Sequence, residues 1–244
     1  MDGKIVVRHR GGGHKQANRI LDWSRKAGKG IVIGFEYDPK RNVRLAKLYH
    51  KGNAFSKEYF SFILAPAGLK HFQELFTYST NQINSINLTS TRKLLEPGDF
   101  VHAVEAYPTQ GSLFARSAGT FCQIRSFTQN NYSSNIEKDN KVYNWAKIRL
   151  PSGSHRLISV NAYATYGHVS LTANLNDNLK KAGRSRWLGK RPSVRGVARN
   201  PIDHPHGGGQ GKTSGGRPSV TFKAWPTKGQ PTRSPKRKNK LILN

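Results

Sequence analysis

The sequence predicts an all-β chain: two successive small β domains followed by a long basic extension. Two series of short apolar runs, separated by turn residues, fill roughly the first three quarters of the 244 residues. Such runs at close spacing are the signature of a small barrel or sandwich. The remaining segment, residues 181–244, carries sixteen Lys or Arg and one acid, Asp203, with ten Gly and seven Pro. That composition cannot bury enough apolar area to fold alone, so it reads as an extension ordered by what it binds, or as disorder.

The first domain, residues 1–92, opens on the basic glycine loop RHRGGGHKQANR and continues as GIVIGFEYDPKRN, VRLAKLYHKGN and SKEYFSFILAPAG. Within these, EYDPKRN and HKGN supply the dihedrals of tight connections. Between His71 and Thr91 the alternation weakens. Leu69, Phe72, Leu75 and Phe76 are spaced to line one face of a helix, whereas the Asn/Ser/Thr-rich remainder reads as a loop or insertion near 71–90. The second domain, residues 93–180, starts near LLEPGDFVHAVEAYP. In YNWAKIRLPSGSHRLISVNAYA, Ala146, Ile148 and Leu150 alternate before a PSGS turn and Leu157, Ile158 and Val160 follow, which predicts a hairpin. The polar stretch SFTQNNYSSNIEKDNK before it predicts a long exposed loop. A short helix is expected from Leu175 to Ala182, with Asn174 or Asn176 as cap and Gly183 as terminator.

Forty-one Lys and Arg against thirteen Asp and Glu leave a formal charge of +28. An excess of this size implies a polyanionic partner. Nucleic acid is the first candidate, because each neutralised phosphate releases counterions. A membrane surface is the second, but no amphipathic helix or lipid motif accompanies the charge, and no run approaches the roughly 18 apolar residues of a membrane span. The start, MDGKIVVRHRGGG, has neither a secretory core nor a transit-peptide pattern, so the chain is expected either to be made where it works or to have lost a presequence. The single cysteine, Cys122, excludes an internal disulfide and a Cys-based zinc site, and its apolar neighbours predict a small buried side chain.

The stretch ARNPIDHPHGGGQGKTSGG, Ala198 to Gly216, invites two catalytic readings. Gly211, Lys212 and Thr213 match the end of a phosphate-binding loop, which makes an NTPase the alternative function. However, His206 stands where that motif needs its first glycine, no apolar strand feeds the loop, and SGGRP is a poor helix start. Asp203, His204 and His206 suggest a triad or a metal site, yet no further ligand lies in the tail and a Gly/Pro-rich segment offers no rigid scaffold. No catalytic residue and no metal ligand is therefore assigned. The remaining reading is close approach: Gly207, Gly208 and Gly209, like Gly11, Gly12 and Gly13, let backbone amides reach phosphates inside an RNA crevice. Lys47, Lys51 and Lys57 read as a solvated face, and His50, His71, His102, His155 and His168 as surface or structural histidines.

Together RHRGGGHKQANRI, FEYDPKRN, YFSFILAPAGLK, ARSAGT and ARNPIDHPHGGGQGK resemble, in order from about Arg8 to Arg237, the bacterial-type second protein of the ribosomal large subunit. The similarity is broken mainly at 71–90 and 126–141. It implies an oligonucleotide-binding-type barrel followed by an SH3-like barrel and an extension that penetrates rRNA. It further implies a structural, non-enzymatic constituent that binds large-subunit rRNA and neighbouring ribosomal proteins. Such a protein aids assembly, meets the small subunit across a bridge, touches the tRNA region indirectly and does not engage membrane. His204 matches the family histidine discussed in connection with peptidyl transfer, and the RNA-catalysed reaction makes positioning its expected role. The chain differs from the family in lacking most of the long N-terminal arm, in an Asn-rich insertion around 80–91 and an enlarged loop at 126–141, and in Gln210, where relatives commonly carry an acid. These features point to a mitochondrial ribosome, with a plastid or bacterial one as the alternative. No cofactor is expected beyond Mg2+ carried by the rRNA.

The expected RNA contacts are phosphate ligands at Arg8, Arg10, Lys15, Arg19, Arg116, Arg195, Arg199, Lys212 and Arg217, joined by Lys228 and Arg233. Gly11, Gly12, Gly13, Gly207, Gly208 and Gly209 provide close approach. His14, Asn200, Asp203, His204 and His206 set register through local hydrogen bonds. Trp187 and Trp225 serve either as stacking platforms or as apolar anchors of the tail.

Overall fold

The computed structural model describes residues 3, 5–24, 28–52, 57–77, 87–90, 95–128, 145–176, 178–211, 216–230 and 241–243. The chain divides into two compact units, one comprising residues 16–177 with 240–244, the other residues 1–15 with 178–239.

The larger unit is a β structure whose first strands are β1 (Gly28–Tyr37), β2 (Arg44–His50) and β3 (Tyr59–Leu64), an antiparallel meander. Apolar alternation on β2 and β3 sends Ala46, Leu48 and Ile63 inward with Val32 and Ala65, while Leu45 and Leu64 face a second cluster with Leu21, Val43, Ala103 and Val169. The EYDPKRN turn is built on Asp38, whose fully buried carboxylate accepts the Lys40 amide at 2.9 Å and pairs with the Arg41 guanidinium. β4 (Glu74–Thr77) adds to the free edge of β1, and β5 (Asn87–Ser90) follows it in the sheet.

The helix considered for Leu69 to Phe76 is therefore corrected. Residues 74–77 satisfy their backbone against β1, Leu75 enters the core, and Phe72 is 77 % exposed with φ +58°. A waiting sheet edge outweighs a weak helical spacing. Residues 78–86 of the 71–90 insertion lie outside the described residues, but its end, β5, is strand rather than loop.

The second half of this unit holds β6 (Phe100–His102), the short pair β7 (Val104–Glu105) and β8 (Ser112–Phe114), then β9 (Cys122–Thr128), β10 (Trp145–Arg149), β11 (His155–Ser159) and β12 (Tyr163–Tyr166). The expected hairpin is β10–β11, with Ala146 opposite Ile158 and Ile148 opposite Arg156. Its turn closes through Leu150 N–H donating to Ser154 and Gly153 N–H donating to Leu150, with Gly153 at φ +88°. The loop expected from Ser126 begins later than read: Ser126, Phe127 and Thr128 pair with β10, and residues 129–144 lie outside the described set. β5 and β12 pair in parallel, and a last strand, β13 (Ile242–Leu243), joins β11. The core here is Val101, Cys122, Ile124, Ala146, Ile148, Ile158 and neighbours. As expected, Cys122 is a buried structural residue, and burial pushes its thiol up to about 12.

A charge sits inside this core. Glu105 is fully buried, and its carboxylate accepts the amides of Thr109 (3.2 Å), Gly111 (2.9 Å) and Tyr163 (3.0 Å). It ties the 106–111 loop to the start of β12.

The smaller unit has almost no apolar interior, Val220 being its one buried hydrophobic residue among those described. Its helix α1 (Ala182–Trp187) corrects the expected Leu175–Ala182. Asn174 and Asn176 fall in a 3-10 turn (Thr172–Asn176), Lys180 takes φ +60° and Lys181 is extended, so helical geometry starts only at Ala182. Gly183 is inside the helix, and Gly189 at φ +77° ends it instead. Gly189 N–H donates to Arg186 and Lys190 N–H to Ser185, the bond pair of a left-handed C-terminal closure.

Candidate nucleic-acid interface

The smaller unit sets the first GGG loop of the sequence, Gly11 to Gly13, against the end of α1. Residues 9–14 run antiparallel to 187–191: Gly11 N–H donates to Gly189 (3.0 Å), His14 N–H to Trp187 (2.9 Å) and Arg191 N–H to His9 (3.1 Å), with Arg10 opposite Lys190. The glycines allow this contact. A Cβ on Gly13 would stand 2.7 Å from the backbone of Gly189, a distance no substitution tolerates. Gly13 therefore serves the close approach of two backbones.

The NPIDHPHGG segment folds on itself in the same manner. His204 N–H and Asp203 N–H return to the Asn200 carbonyl, Gly207 N–H donates to His204 (2.8 Å) and Gly208 N–H to Arg199 (3.2 Å). A Cβ on Gly207 would meet the Asn200 carbonyl oxygen at 2.2 Å. The sequence reading offered these two amides to phosphates; the structure uses both within the turn.

Both histidines are set by backbone donors. His204 Nδ1 accepts the His206 amide at 3.0 Å, and His206 Nε2 accepts the Val220 amide at 3.2 Å. The accepting nitrogens are Nδ1 of His204 and Nε2 of His206, which leaves Nε2 of His204 and Nδ1 of His206 as the ring positions for an N–H donor. The rings lie 4.7 Å apart, centroid to centroid. Partial burial, then the neighbouring His206 and Arg199, hold His204 below its ordinary value. His204 also packs on Gly196, where a Cβ would lie 2.5 Å from the ring.

Beside this turn is a cleft of about 1090 Å³ whose walls include Arg8, Arg10, Arg191, Arg199, Asp203 and Phe222. Its arginines outnumber its single acid four to one, and none of the ion pairs found among the described residues involves them. The Arg8 guanidinium lies 5.2 Å from the Phe222 ring centroid, an aromatic-plus-guanidinium surface of the kind that takes bases and phosphates together.

Of the expected residues, Arg8, Arg10, Arg199, Asn200 and Asp203 line this cleft. Gly11, Gly12, Gly13 and His14 lie along the end of α1, while His204, His206, Gly207, Gly208 and Gly209 form the turn. Lys15, Arg195, Arg217 and Lys228 are exposed in the same unit, as are Trp187 and Trp225. Arg19 and Arg116 belong to the larger unit, where Arg19 pairs with Glu36 at 3.0 Å and Arg116 lies 5.1 Å from the Trp23 ring centroid. Lys212 and Arg233 lie outside the described residues. Arg191 and Phe222 were not singled out as ligands. The sequence cue for Arg191 was weak: one arginine among many, in GKRPS. Among the described residues no group of three or more His, Cys, Asp or Glu could hold a metal ion, and no helix is long and apolar enough to cross a membrane.

The Gly211 end of the nucleotide-loop match is preceded by turns rather than by a strand, and no helix follows in residues 216–230. An NTP site is not supported. An almost all-β chain with strongly basic, glycine-shaped backbone turns defines a nucleic-acid-binding protein of structural type. Residues 1–77 match the ribosomal protein L2 RNA-binding N-terminal domain and residues 87–224 the ribosomal protein L2 C-terminal domain, so the chain belongs to the ribosomal L2 family. It is thus a structural, rRNA-binding protein of the large subunit, built from an oligonucleotide-binding-type barrel and an SH3-like barrel.

Among similar proteins, the large ribosomal subunit protein uL2m of Reclinomonas americana is 45 % identical over 243 residues, covering 99 % of this chain and 81 % of that protein. The uL2 protein of Wolbachia sp. subsp. Drosophila simulans is 44 % identical over 232 residues (95 % and 78 %). That of Caulobacter vibrioides is 41 % identical over 243 residues (99 % and 80 %).

Proposed function

We propose that this chain organises large-subunit rRNA of a mitochondrial ribosome through its smaller unit. Phosphates enter the arginine cleft, and the NPIDHPHGG turn acts as a preformed positioning element. The observation that carries the reading is the convergence of Arg8, Arg10, Arg191 and Arg199, from two distant parts of the sequence, on one cleft with a single acid. The turn supports it, because its shape is held by its own hydrogen bonds and presents His204 Nε2–H as a donor. His204 then orders RNA and water near the site of peptidyl transfer, and RNA performs the reaction. Its Nδ1 is occupied by the His206 amide, so proton abstraction at that atom is closed to it. Lys15, Arg195, Lys212, Arg217, Lys228 and Arg233 add phosphate contacts in the smaller unit's part of the chain, and Arg19 and Arg116 add their own on the larger unit. Assembly of the subunit, its association with the small subunit and support of the tRNA region follow from the same role. The similarity to a uL2m protein supports the mitochondrial assignment.

The test is the salt dependence of rRNA binding. Each phosphate contact removed lowers the slope of log K against log salt by about 1. Arg8→Gln, Arg10→Gln, Arg191→Gln and Arg199→Gln are each expected to lower it by that amount, and Lys51→Gln, on the larger unit's surface, to leave it unchanged. Equal slopes for all five would remove the cleft from the interface.

A further inference from the structure

We propose that the second barrel carries a separate pocket for one unpaired nucleotide of RNA, with Phe121 stacking on the base and Arg149 holding a flanking phosphate. This rests on the chain being an rRNA-binding protein but concerns a place outside the cleft and turn described above. A cleft of about 510 Å³, large enough for a nucleotide, is walled by Gly119, Phe121, Gln123, Arg149, Pro151 and Gly153. Phe121 is 43 % exposed although it directly precedes strand β9, whose first residue, Cys122, is fully buried. Its ring is held edge-on by Phe100, itself 44 % exposed, at 4.7 Å between centroids. The stacking surface is thus oriented before any ligand arrives, which spares ordering cost on binding.

The polar groups fit the same occupant. Arg149 ends β10 opposite Gln123 of β9 and is exposed. The walls contain no acid, so Arg149 is the one charged group there and an anionic ligand is favoured. Gln123 donates its amide nitrogen to the Gly98 carbonyl at 3.3 Å, which leaves its side-chain oxygen as an acceptor for a base edge. The β10–β11 turn at Pro151 to Gly153 closes one side with small residues, and the Ser152 and Ser154 hydroxyls bond each other at 2.8 Å. An apolar ring, a planar cation and a hydrogen-bond acceptor around a nucleotide-sized space are what recognition of a splayed base requires, because single-stranded RNA is read by stacking and by polar contacts to base edges. A duplex, with its bases already stacked, has no group to offer Phe121.

The experiment uses the full chain with in-vitro transcribed large-subunit rRNA, followed by ultraviolet crosslinking and mapping of the modified peptide. Phe121→Leu keeps the apolar volume without the ring, and Arg149→Gln removes the charge. Each is expected to weaken binding by about tenfold, the order of one stacked base or one phosphate contact, and Phe121→Leu to abolish crosslinking within 119–125. Phe121→Trp is expected to restore both. Unchanged affinity and crosslinking in both variants, with the wild type still binding, would overturn the pocket and leave the family role standing. Failure of the wild-type chain to bind rRNA would overturn both. In the assembled subunit, a crosslink from Phe121 to another protein instead of RNA would overturn the nucleotide assignment. Unaltered melting of the variants separates lost contact from lost fold.

Discussion

Replacing Glu105 by Gln tests how the second barrel is held together. The carboxylate is fully buried and accepts three amides: Thr109 and Tyr163 on one oxygen, Gly111 on the other. Glutamine has the same shape but one acceptor. Its better orientation keeps the carbonyl toward Thr109 and Tyr163 and turns the NH2 against the Gly111 N–H. Two bonds then lose charge assistance, about 1 kcal/mol each, and one buried donor is left unsatisfied at about 1–3 kcal/mol. The sum, roughly 3–5 kcal/mol, corresponds to a fall in Tm of about 6–20 °C for a unit of this size. Scanning calorimetry of the full chain measures it, with Glu96→Gln on the surface as a control expected to stay within about 0.5 kcal/mol of wild type. A fall under about 2 °C would refute the role given to Glu105.

The histidine pair predicts a pH dependence. His204 is held below its ordinary value of 6.5 in the folded turn, so the unfolded turn binds the proton first and folding is favoured at higher pH. The stabilisation is complete above about 6.5 and is lost as pH falls from there through the lower folded value. The protection factor of the His206 amide, its exchange rate compared with the intrinsic rate at each pH, is expected to fall over that interval, and a protection factor that stays flat as pH is lowered from about 7.5 to 5 would contradict the acceptor role of His204 Nδ1. Gly207→Ala forces a Cβ onto the Asn200 carbonyl and is expected to open the turn and reduce rRNA affinity, whereas Gly183→Ala, with open space around it, is not. Wild-type affinity in Gly207→Ala would remove the turn from the interface. Cys122, its thiol raised to about 12 by burial, is expected to react with a thiol reagent only at the rate of unfolding. Reaction in the folded state at the rate of a free thiol would show that β9 is not packed as described.

The β10–β11 hairpin was legible because its two cues agree: Ala146 and Ile148 alternate, and PSGS supplies a glycine for the turn. Cys122 was legible from its neighbours. Helix α1 was misplaced because Asn174 and Gly183 offered conventional cap residues, while the chain starts the helix at Ala182 without a side-chain cap and ends it at Gly189. Leu75 and Phe76 could not reveal that the edge of β1 was waiting for them, since strand pairing depends on residues far away in the sequence.

The site shows the same limit. The glycines were recognised as points of close approach, but the partner of Gly13 is Gly189 and that of Gly207 is Asn200. Only three-dimensional pairing distinguishes a backbone from a phosphate as the approaching group. Glu105 and Asp38 were invisible as buried anchors because an acid in a β-rich sequence ordinarily faces water.

Sedimentation of the tagged chain through a sucrose gradient tests the central claim most directly. A structural rRNA-binding protein of the large subunit is expected to migrate with that subunit and to stay there after a moderate salt wash. Recovery of the chain at the top of the gradient, with large subunits fully assembled without it, would contradict the account.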